Sequence, residues 1–550
     1  MRYKFQIEGI VQGVGFRPTV YKIAKKLDLK GYVLNSGEGV IVEIEGENRD
    51  KFIDTLKKNL PPLAKIDKIE KEVLPLKNYS EFIIISSKNT SKTTFISPDK
   101  SVCEDCLKEM FDANNRRYLY PFINCTNCGP RYTIIENIPY DRKNTSMKKF
   151  KMCEKCEKEY TNPLDRRYHA QPISCYECGP KLSLKLKIES DKWRELRIEN
   201  EAYTEIKKIF KEVAKFLKDG KIGAIKGLGG FHLVCDATNE KAVKELRERK
   251  NRPFKPFAMM FKDIQEIKKY CEINDYEEKL ITSIERPIVV VKKRVDLKGI
   301  ADNIDRYGVF LSYTPIHYLL FREIDFPIVA TSANISNEPI IRSFEELKEK
   351  LGNVVDFVLD YDRDIVNACD DSVMTCVDDK ILTYRLSRGY APKSFSIDKK
   401  IKPNILAVGA NQKNTIALSF KDKVIISPHI GDLLTIDAVE YFERTIETFK
   451  RLYSFKPDII IGDLHPEYES TKWAKVQNLP FYQIQHHYAH ILSTMFEFNL
   501  KGEFLAFSFD GTGYGEDKQI WGGEVFIANE NSFKRLYPVS YTHLTLPTKA

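Results

Sequence analysis

Eight of the twelve cysteines fall into four CxxC pairs: Cys103/Cys106, Cys125/Cys128, Cys153/Cys156 and Cys175/Cys178. Thiolates separated by two residues in a turn both reach one ion, and four complete a tetrahedron. The pairs lie in two copies of CxxC-x18-CxxC, offset by 50 residues. The copies also align Arg116-Arg117-Tyr118 with Arg166-Arg167-Tyr168, and Gly129-Pro130 with Gly179-Pro180. This is the pattern of a tandem duplication of one small module. Each copy can close a four-cysteine zinc site by itself, and interleaved pairing between copies satisfies the same spacing. Redox dithiols are the competing reading. Four pairs in tandem, in a chain without a secretory signal, favour metal. A closed four-thiolate site is structural and supports a segment with little core of its own. His169 follows the tyrosine of the second copy only, where it either contacts substrate or packs.

Three further clusters carry chemistry. The loop Val11-Gln12-Gly13-Val14-Gly15-Phe16-Arg17 joins a strand to a helix. Its backbone N–H groups, with Gly13, Val14, Gly15 and Phe16 at the centre, converge on an anion, and Arg17 can hold a phosphate through two donors. Asn35, at the end of the next strand, can orient a water. Alone, such a loop is a tight turn with a surface arginine. The segment Glu248-Arg249-Lys250-Asn251-Arg252-Pro253-Phe254-Lys255-Pro256 suits a triphosphate, and Thr331-Ser332-Ala333-Asn334 follows an apolar strand as a phosphate or nucleobase turn would. A basic run by itself is a solvated face; the second motif tips the balance. Finally, His486 and His490 share a helix face four residues apart, as metal ligands do. Just downstream a strand ends in Phe509-Asp510-Gly511-Thr512-Gly513, a phosphate or metal platform.

The elements that must position these groups follow from periodicity. Residues 1–90 read as β-α-β-β-α-β, the ferredoxin-like pattern. A polar linker leads to the duplicated modules at 101–182. Residues 200–392 alternate amphipathic helices (203–218, 238–249, 343–351) with the strands IGAIKG, PFAMMF, PIVVVKK, IVATSA and FVLDYD, an α/β unit. A new α/β pattern opens near 401, with a long helix near 436–453, and runs to 539. The whole is a multidomain α/β and α+β protein.

Composition agrees. A length of 550 residues favours three to four domains. Lysine and arginine exceed aspartate and glutamate by 87 − 78 = 9, spread along the chain, which is no nucleic-acid stripe. No apolar run approaches the ~20 residues that cross a bilayer. The N-terminus has no signal-peptide core. A cytoplasmic protein, free of membrane and nucleic acid, is expected.

Each unit resembles a known family. VQGVGFRP with GYVLN is similar to acylphosphatase, which implies that Arg17 binds the phosphate of an acyl phosphate and Asn35 positions the attacking water. KGLGGFH, KNRPFKP and TSAN, with Arg286-Pro287, SYTPIH, Asp370-Asp371-Ser372 and Arg388-Gly389-Tyr390-Ala391-Pro392, resemble the YrdC/Sua family of acyl-adenylate synthases. That resemblance implies nucleotide binding by Lys250, Arg252, Lys255, Ser332 and Asn334. LAVGANQKNT, DLHPEY, QHHYAH and FDGTGYG resemble the first lobe of TsaD-like, ASKHA-type domains. There His486, His490 and Asp510 would hold a divalent ion such as iron. In this order the units resemble the HypF carbamoyltransferases of nickel–iron hydrogenase maturation.

The resemblance implies two structural zinc ions, and ATP with magnesium as substrate. It implies a relay from carbamoyl phosphate through carbamoyl-adenylate to the C-terminal cysteine of the partner HypE, whose product supplies the cyanide ligands of hydrogenase. Threonylcarbamoyl-type tRNA modification is the alternative from shared domains, and a zinc-stabilised chaperone or nucleic-acid binder is a third reading. Two departures stand out. Asn411-Gln412 replaces an expected acidic residue, and residues 540–550 have no periodicity and leave the family pattern. The expectation is a chain that stops after one ASKHA lobe and is deficient in the final transfer.

Overall fold

The computed structural model describes residues 1–85, 95–189, 192–197 and 202–539. Part of the polar linker (86–94) and residues 540–550 therefore lie outside the described residues. The chain divides into two compact units, one built mainly from residues 1–394 and the other mainly from 395–446 and 456 onward.

The first unit begins with β1 (Arg2–Ile10), α1 (Phe16–Lys26), β2 (Lys30–Ser36), β3 (Gly39–Glu45), α2 (Phe52–Lys58), β4 (Lys65–Leu74) and β5 (Phe82–Ile84). The sheet order is β4-β1-β3-β2-β5, the expected ferredoxin-like arrangement with β5 added parallel to β2. Phe5 and Ile7 alternate inward on β1, and α1 buries Phe16, Val20, Ile23 and Ala24 at helical spacing against them. The helix starts at Phe16, with Gly15 at the N-cap position at φ 75°.

The two duplicated modules follow. Each opens with an eight-residue helix capped by its first cysteine, Glu104–Phe111 after Cys103 and Glu154–Thr161 after Cys153. Beyond them lies a twelve-stranded sheet. All five strands expected in the α/β unit are present, at 223–226, 258–261, 288–293, 328–332 and 357–361. The hairpin Leu182–Glu189/Lys192–Arg197 extends this sheet by pairing onto Phe357–Tyr361. The sequence reading ended the zinc segment at 182 and gave these residues no role. Their charged lysines and glutamates hide an edge hairpin with only one buried face.

In the second unit a four-stranded sheet includes Ile459–Asp463, and a three-stranded antiparallel sheet is formed by Phe504–Tyr514, Ile520–Ala528 and Phe533–Val539. The helix Ile436–Tyr453 matches its expectation. Asp510 corrects one. It lies inside the strand Phe504–Tyr514, beside a register shift between Phe509 and Gly513, and does not follow the strand's end. The glycines do not stop the strand; they let it bulge.

Candidate functional site

The cysteines resolve the pairing left open by spacing. The first copy gathers Cys103, Cys106, Cys125 and Cys128, and the second gathers Cys153, Cys156, Cys175 and Cys178. In the first copy, Sγ–Sγ separations are 3.6 Å for Cys103–Cys125, 3.8 Å for Cys125–Cys128 and 3.6 Å for Cys106–Cys128. In the second, Cys153–Cys175 is 3.7 Å and Cys175–Cys178 is 3.8 Å. A tetrahedron with metal–sulfur bonds of about 2.3 Å has edges of about 3.8 Å. The eight thiols therefore fit two zinc ions, each within one copy.

What crosses between copies is arginine. Arg116 Nη2 donates to Cys156 Sγ at 3.2 Å, and Arg166 Nη2 donates to Cys106 Sγ at 3.1 Å. Arg117 pairs with Glu159 at 2.6 Å, and Arg167 pairs with Glu109. Arg117 Nε donates to the Ser174 carbonyl at 2.9 Å, and Arg167 Nε to the Asn124 carbonyl at 3.0 Å. Every partner obeys the 50-residue offset, so the copies clasp each other about a local two-fold. Each guanidinium offsets thiolate charge in its neighbour's site. The repeated Arg-Arg-Tyr was the visible signal, but the crossing was not.

The phosphate loop lies against these modules. A Cβ at Gly13 would fall 2.7 Å from the Tyr140 ring, and Gly13 has φ 70°, so the position demands glycine. Arg131 Nε donates to the Gly13 carbonyl at 3.3 Å. Gln12 Nε2 donates to the carbonyls of Ser36 and Gly39, tying the loop to the end of β2 where Asn35 sits. Val14 and Phe16 are buried in the core of this domain. Arg17 is only 7% exposed, and burial lowers its pKa, with Asp141, Tyr168 and Tyr160 acting in the opposite sense. Both amide atoms of Asn35 are buried without a hydrogen-bond partner among the described residues. Arg17 opens onto a cavity of about 480 Å³ lined by Ile84, Ile85, Asp141, Arg142, Lys143, Tyr160 and His169. A buried cation lining a cavity, and a buried amide without a partner on the neighbouring strand, are groups that a ligand could satisfy. Asp141 and Tyr160 went unnoticed in the sequence, where neither stands in a motif.

In the α/β unit, Lys250 Nζ donates to the Ser332 carbonyl, the Asn334 carbonyl and Asn334 Oδ1 at 2.8, 2.8 and 3.1 Å. Ser332 Oγ donates to Asn334 Oδ1 at 2.9 Å. Three of the five expected nucleotide residues are thus in one hydrogen-bonded cluster. Arg252 and Lys255 share the adjoining loop, where Arg252 Nε donates to the Lys255 carbonyl. Burial, then the neighbouring Arg252 and Lys255, push Lys250 down to about 7. The neighbouring cations repel one another, and an anion between them would relieve that repulsion.

In the second unit, His486 Nε2 lies 2.8 Å from Asp510 Oδ2, and His490 Nε2 lies 3.3 Å from both that oxygen and His486 Nε2. Metal bonds of about 2.1 Å set neighbouring ligand atoms roughly 3 Å apart, so this donor set fits one borderline divalent ion. His486 Nδ1 lies 2.6 Å from Asp463 Oδ2. That carboxylate fixes the ring orientation, as carboxylates behind metal-bound histidines do. Asp463 opens the DLHPEY motif and closes the apolar strand Ile459–Asp463, but the sequence alone gives it no role.

These features define a multidomain enzyme in which an acylphosphatase-like domain, paired zinc fingers and an acyl-adenylate-type α/β unit share a chain with a metal-site lobe. Known families match in the same order: Acylphosphatase over residues 3–84, the HypF finger over 102–135 and 152–185, and Telomere recombination (the Sua5/YciO/YrdC group) over 215–387. The HypF Kae1-like domain matches over 400–497, and the second subdomain of the Kae1-like carbamoyltransferase domain over 506–550. The carbamoyltransferase HypF of Synechocystis is 45% identical over 545 residues, covering 98% of this chain and 70% of its own. The HypF of Rhizobium leguminosarum is 40% identical over 543 residues, covering 97% and 68%. The crystal structure of full-length HypF in a phosphate- and nucleotide-bound form superposes with a TM-score of 0.92 at 47% identity, covering 97% of this chain and 70% of that one. The HypF of T. kodakarensis gives 0.88 at 41% identity, covering 98% and 69%.

The chain belongs to the HypF carbamoyltransferase family. It spans about 70% of the length of the Synechocystis relative. No described helix is long and apolar enough to cross a membrane.

Proposed function

We propose that the chain belongs to a carbamoyl relay. The phosphate loop and Arg17 bind carbamoyl phosphate, and Asn35 positions the water that attacks its phosphorus. The P–O bond to the carbamoyl oxygen breaks, giving carbamate and phosphate. This step needs positioning and charge stabilisation, and no titrating side chain. The Lys250, Arg252, Lys255, Ser332 and Asn334 cluster then binds ATP with magnesium, whose α-phosphorus takes the carbamate oxygen and releases pyrophosphate. The carbamoyl group of the adenylate passes to a cysteine thiolate of HypE, and AMP leaves. A divalent ion such as iron held by His486, His490 and Asp510 would supply positive charge at the nucleotide of that last step. The zinc ions hold the modules that wall the first site.

The buried Arg17 lining a cavity of about 480 Å³ is the observation that carries this reading. The phosphate- and nucleotide-bound state of the HypF relative supports it. Carbamate is short-lived in water, so a chain that makes and uses it gains from enclosure.

The test is AMP and pyrophosphate release from ATP, with and without carbamoyl phosphate, on this chain and on Arg17→Ala. Release should require carbamoyl phosphate, vanish in Arg17→Ala and return on adding carbamate. Release that ignores carbamoyl phosphate but requires threonine and bicarbonate would instead assign threonylcarbamoyl chemistry.

A further inference from the structure

We propose that the wall which the zinc-module region presents to the phosphate loop is a carbamoyl-recognition subsite: the Asp141 carboxylate accepts a hydrogen bond from the carbamoyl NH2, and His169 donates one to the carbamoyl oxygen. The inference rests on the acylphosphatase reading of Arg17.

The cavity beyond Arg17 has few polar groups free to meet a ligand. Arg142 is spent, its guanidinium donating to the carbonyls of Gln171, Ile173 and Phe150 at 2.6, 2.9 and 2.8 Å. The Tyr160 hydroxyl donates to Gln171 Oε1 at 2.9 Å. Lys143 is exposed at the rim. Asp141 precedes a short helical turn without capping it through its side chain, and it acts electrostatically on Arg17. A carboxylate facing that guanidinium stands beside the place where an acyl phosphate's acyl end must lie.

His169 is held rather than free. Its ring sits 4.7 Å from Tyr160 and 4.4 Å from Tyr168, centroid to centroid. Its backbone N–H donates to the Tyr160 carbonyl, and its carbonyl accepts from Gln171 Nε2. Its Nδ1 is buried with no partner. Burial and Arg17 push its pKa down to about 3, so the ring is neutral and carries one N–H. A buried donor left unmet is rarer than a buried lone pair left unmet. The proton therefore belongs on Nε2, and the ring offers a donor from its other edge.

The duplication supplies an internal control. The equivalent position in the first copy is Leu119, with φ 57° against 51° for His169, and its N–H likewise donates to the carbonyl of the equivalent residue, Met110. The left-handed backbone is thus a property of the module, and the module folds with leucine there. What the second copy adds is an imidazole facing a cavity.

Acetyl phosphate differs from carbamoyl phosphate by a methyl in place of the NH2, so an acceptor at that end is what separates them. A site that hydrogen-bonds a substrate group rejects the analogue lacking it, because its own polar group is then left unpaired.

The experiment measures kcat/KM for phosphate release from carbamoyl phosphate and acetyl phosphate, using the full chain and Asp141→Ala, Asp141→Asn, His169→Phe, His169→Gln and Arg17→Ala. Asp141→Ala should lose about 10- to 100-fold on carbamoyl phosphate and less than about threefold on acetyl phosphate. His169→Phe, which keeps the ring packing, should lose about tenfold on carbamoyl phosphate. Asp141→Asn and His169→Gln, which keep an acceptor and a donor, should recover most of each loss. His169→Phe should lose on acetyl phosphate as well, since both substrates carry that oxygen; equal losses on both substrates in the Asp141 variants, or no loss on either in any variant, would overturn the subsite. Loss of both activities in Arg17→Ala, with the other variants flat, would leave the acylphosphatase reading standing while the subsite falls. An unmodified chain that hydrolyses neither substrate would bring down both.

Discussion

The two zinc modules share one plan and live in different surroundings. Both have the same helix, a left-handed residue at the same position and the same arginine pair crossing to the other copy. In the first copy, Val102, Met110, Leu119, Tyr120, Phe122 and Ile123 belong to a large core that continues into the α/β unit. Its cavity on that side is about 30 Å³, walled by Phe122, Lys226, Tyr313 and Arg363 among others. In the second copy the core shrinks to Cys156, Ala170, Ile173, Cys175 and Cys178, and the module faces the 480 Å³ cavity at Arg17. A metal is a portable core. It lets one copy serve as a packed bracket while the other gives its surface to a site.

The contrast breaks most visibly if each metal is removed in turn. Structural zinc contributes on the order of 10 kcal/mol to the folding of small modules. Cys178→Ser should lower zinc from two ions per chain to one and make residues 150–180 protease-labile. It should also cut acyl phosphate hydrolysis by roughly 100-fold, since small displacements of a site wall carry such penalties. Cys128→Ser should lose one zinc as well, yet residues 101–130 should stay protected, because their apolar side chains remain in the larger core. Equal protease sensitivity of the two segments would refute the contrast. Metal analysis with limited proteolysis reads both.

The arginine crossing predicts damage at a distance. Arg117→Met leaves the half-buried Glu159 with Arg116 as its remaining partner at 2.8 Å, a cost of about 1 kcal/mol once partial exposure is allowed for. The loss belongs to the second module, so hydrogen exchange should speed up at 153–178 and not around Arg117 itself. Arg167→Met should do the converse through Glu109. Adding Glu159→Gln to Arg117→Met should cost less than the sum of the two changes. If exchange rises only in the copy that carries the substitution, the clasp is not energetic.

Much of this plan was legible in the chain. Cysteine spacing marks zinc, because a four-thiolate site needs only two CxxC turns within reach. It cannot choose the pairing, since both closures satisfy the spacing; only the Sγ–Sγ distances do. Helices and apolar strands were recoverable because periodicity is local. The residues that escaped act through distant partners. Asp463 matters through His486 and Asp141 through Arg17. Neither carries a local signature of that role, since a lone aspartate after a strand or a turn is ordinary. Asp510 escaped in part, because glycine after an apolar run suggests an end where the backbone in fact bulges.

The smallest expected effect is also the most selective. His169 has a pKa of about 3 in the folded chain against about 6.5 when unfolded. Between those values the unfolded chain binds a proton that the folded chain refuses. Acid therefore erodes stability as pH falls below about 6.5, and the erosion levels off near 3. The first module has Leu119 at this position and no such term. Thiolate protonation weakens both zinc sites in acid, so a simple comparison of the modules mixes two causes. His169→Phe separates them: hydrogen exchange in the second module should lose part of its dependence between pH 6.5 and 4.5, while the first module's profile stays unchanged. The hydrolytic rate should meanwhile show no inflection from His169 between pH 5 and 8, because the ring is neutral throughout. An inflection in that range, removed by His169→Phe, would mean that the imidazole gains a proton in the site and that burial beside Arg17 does not set its charge.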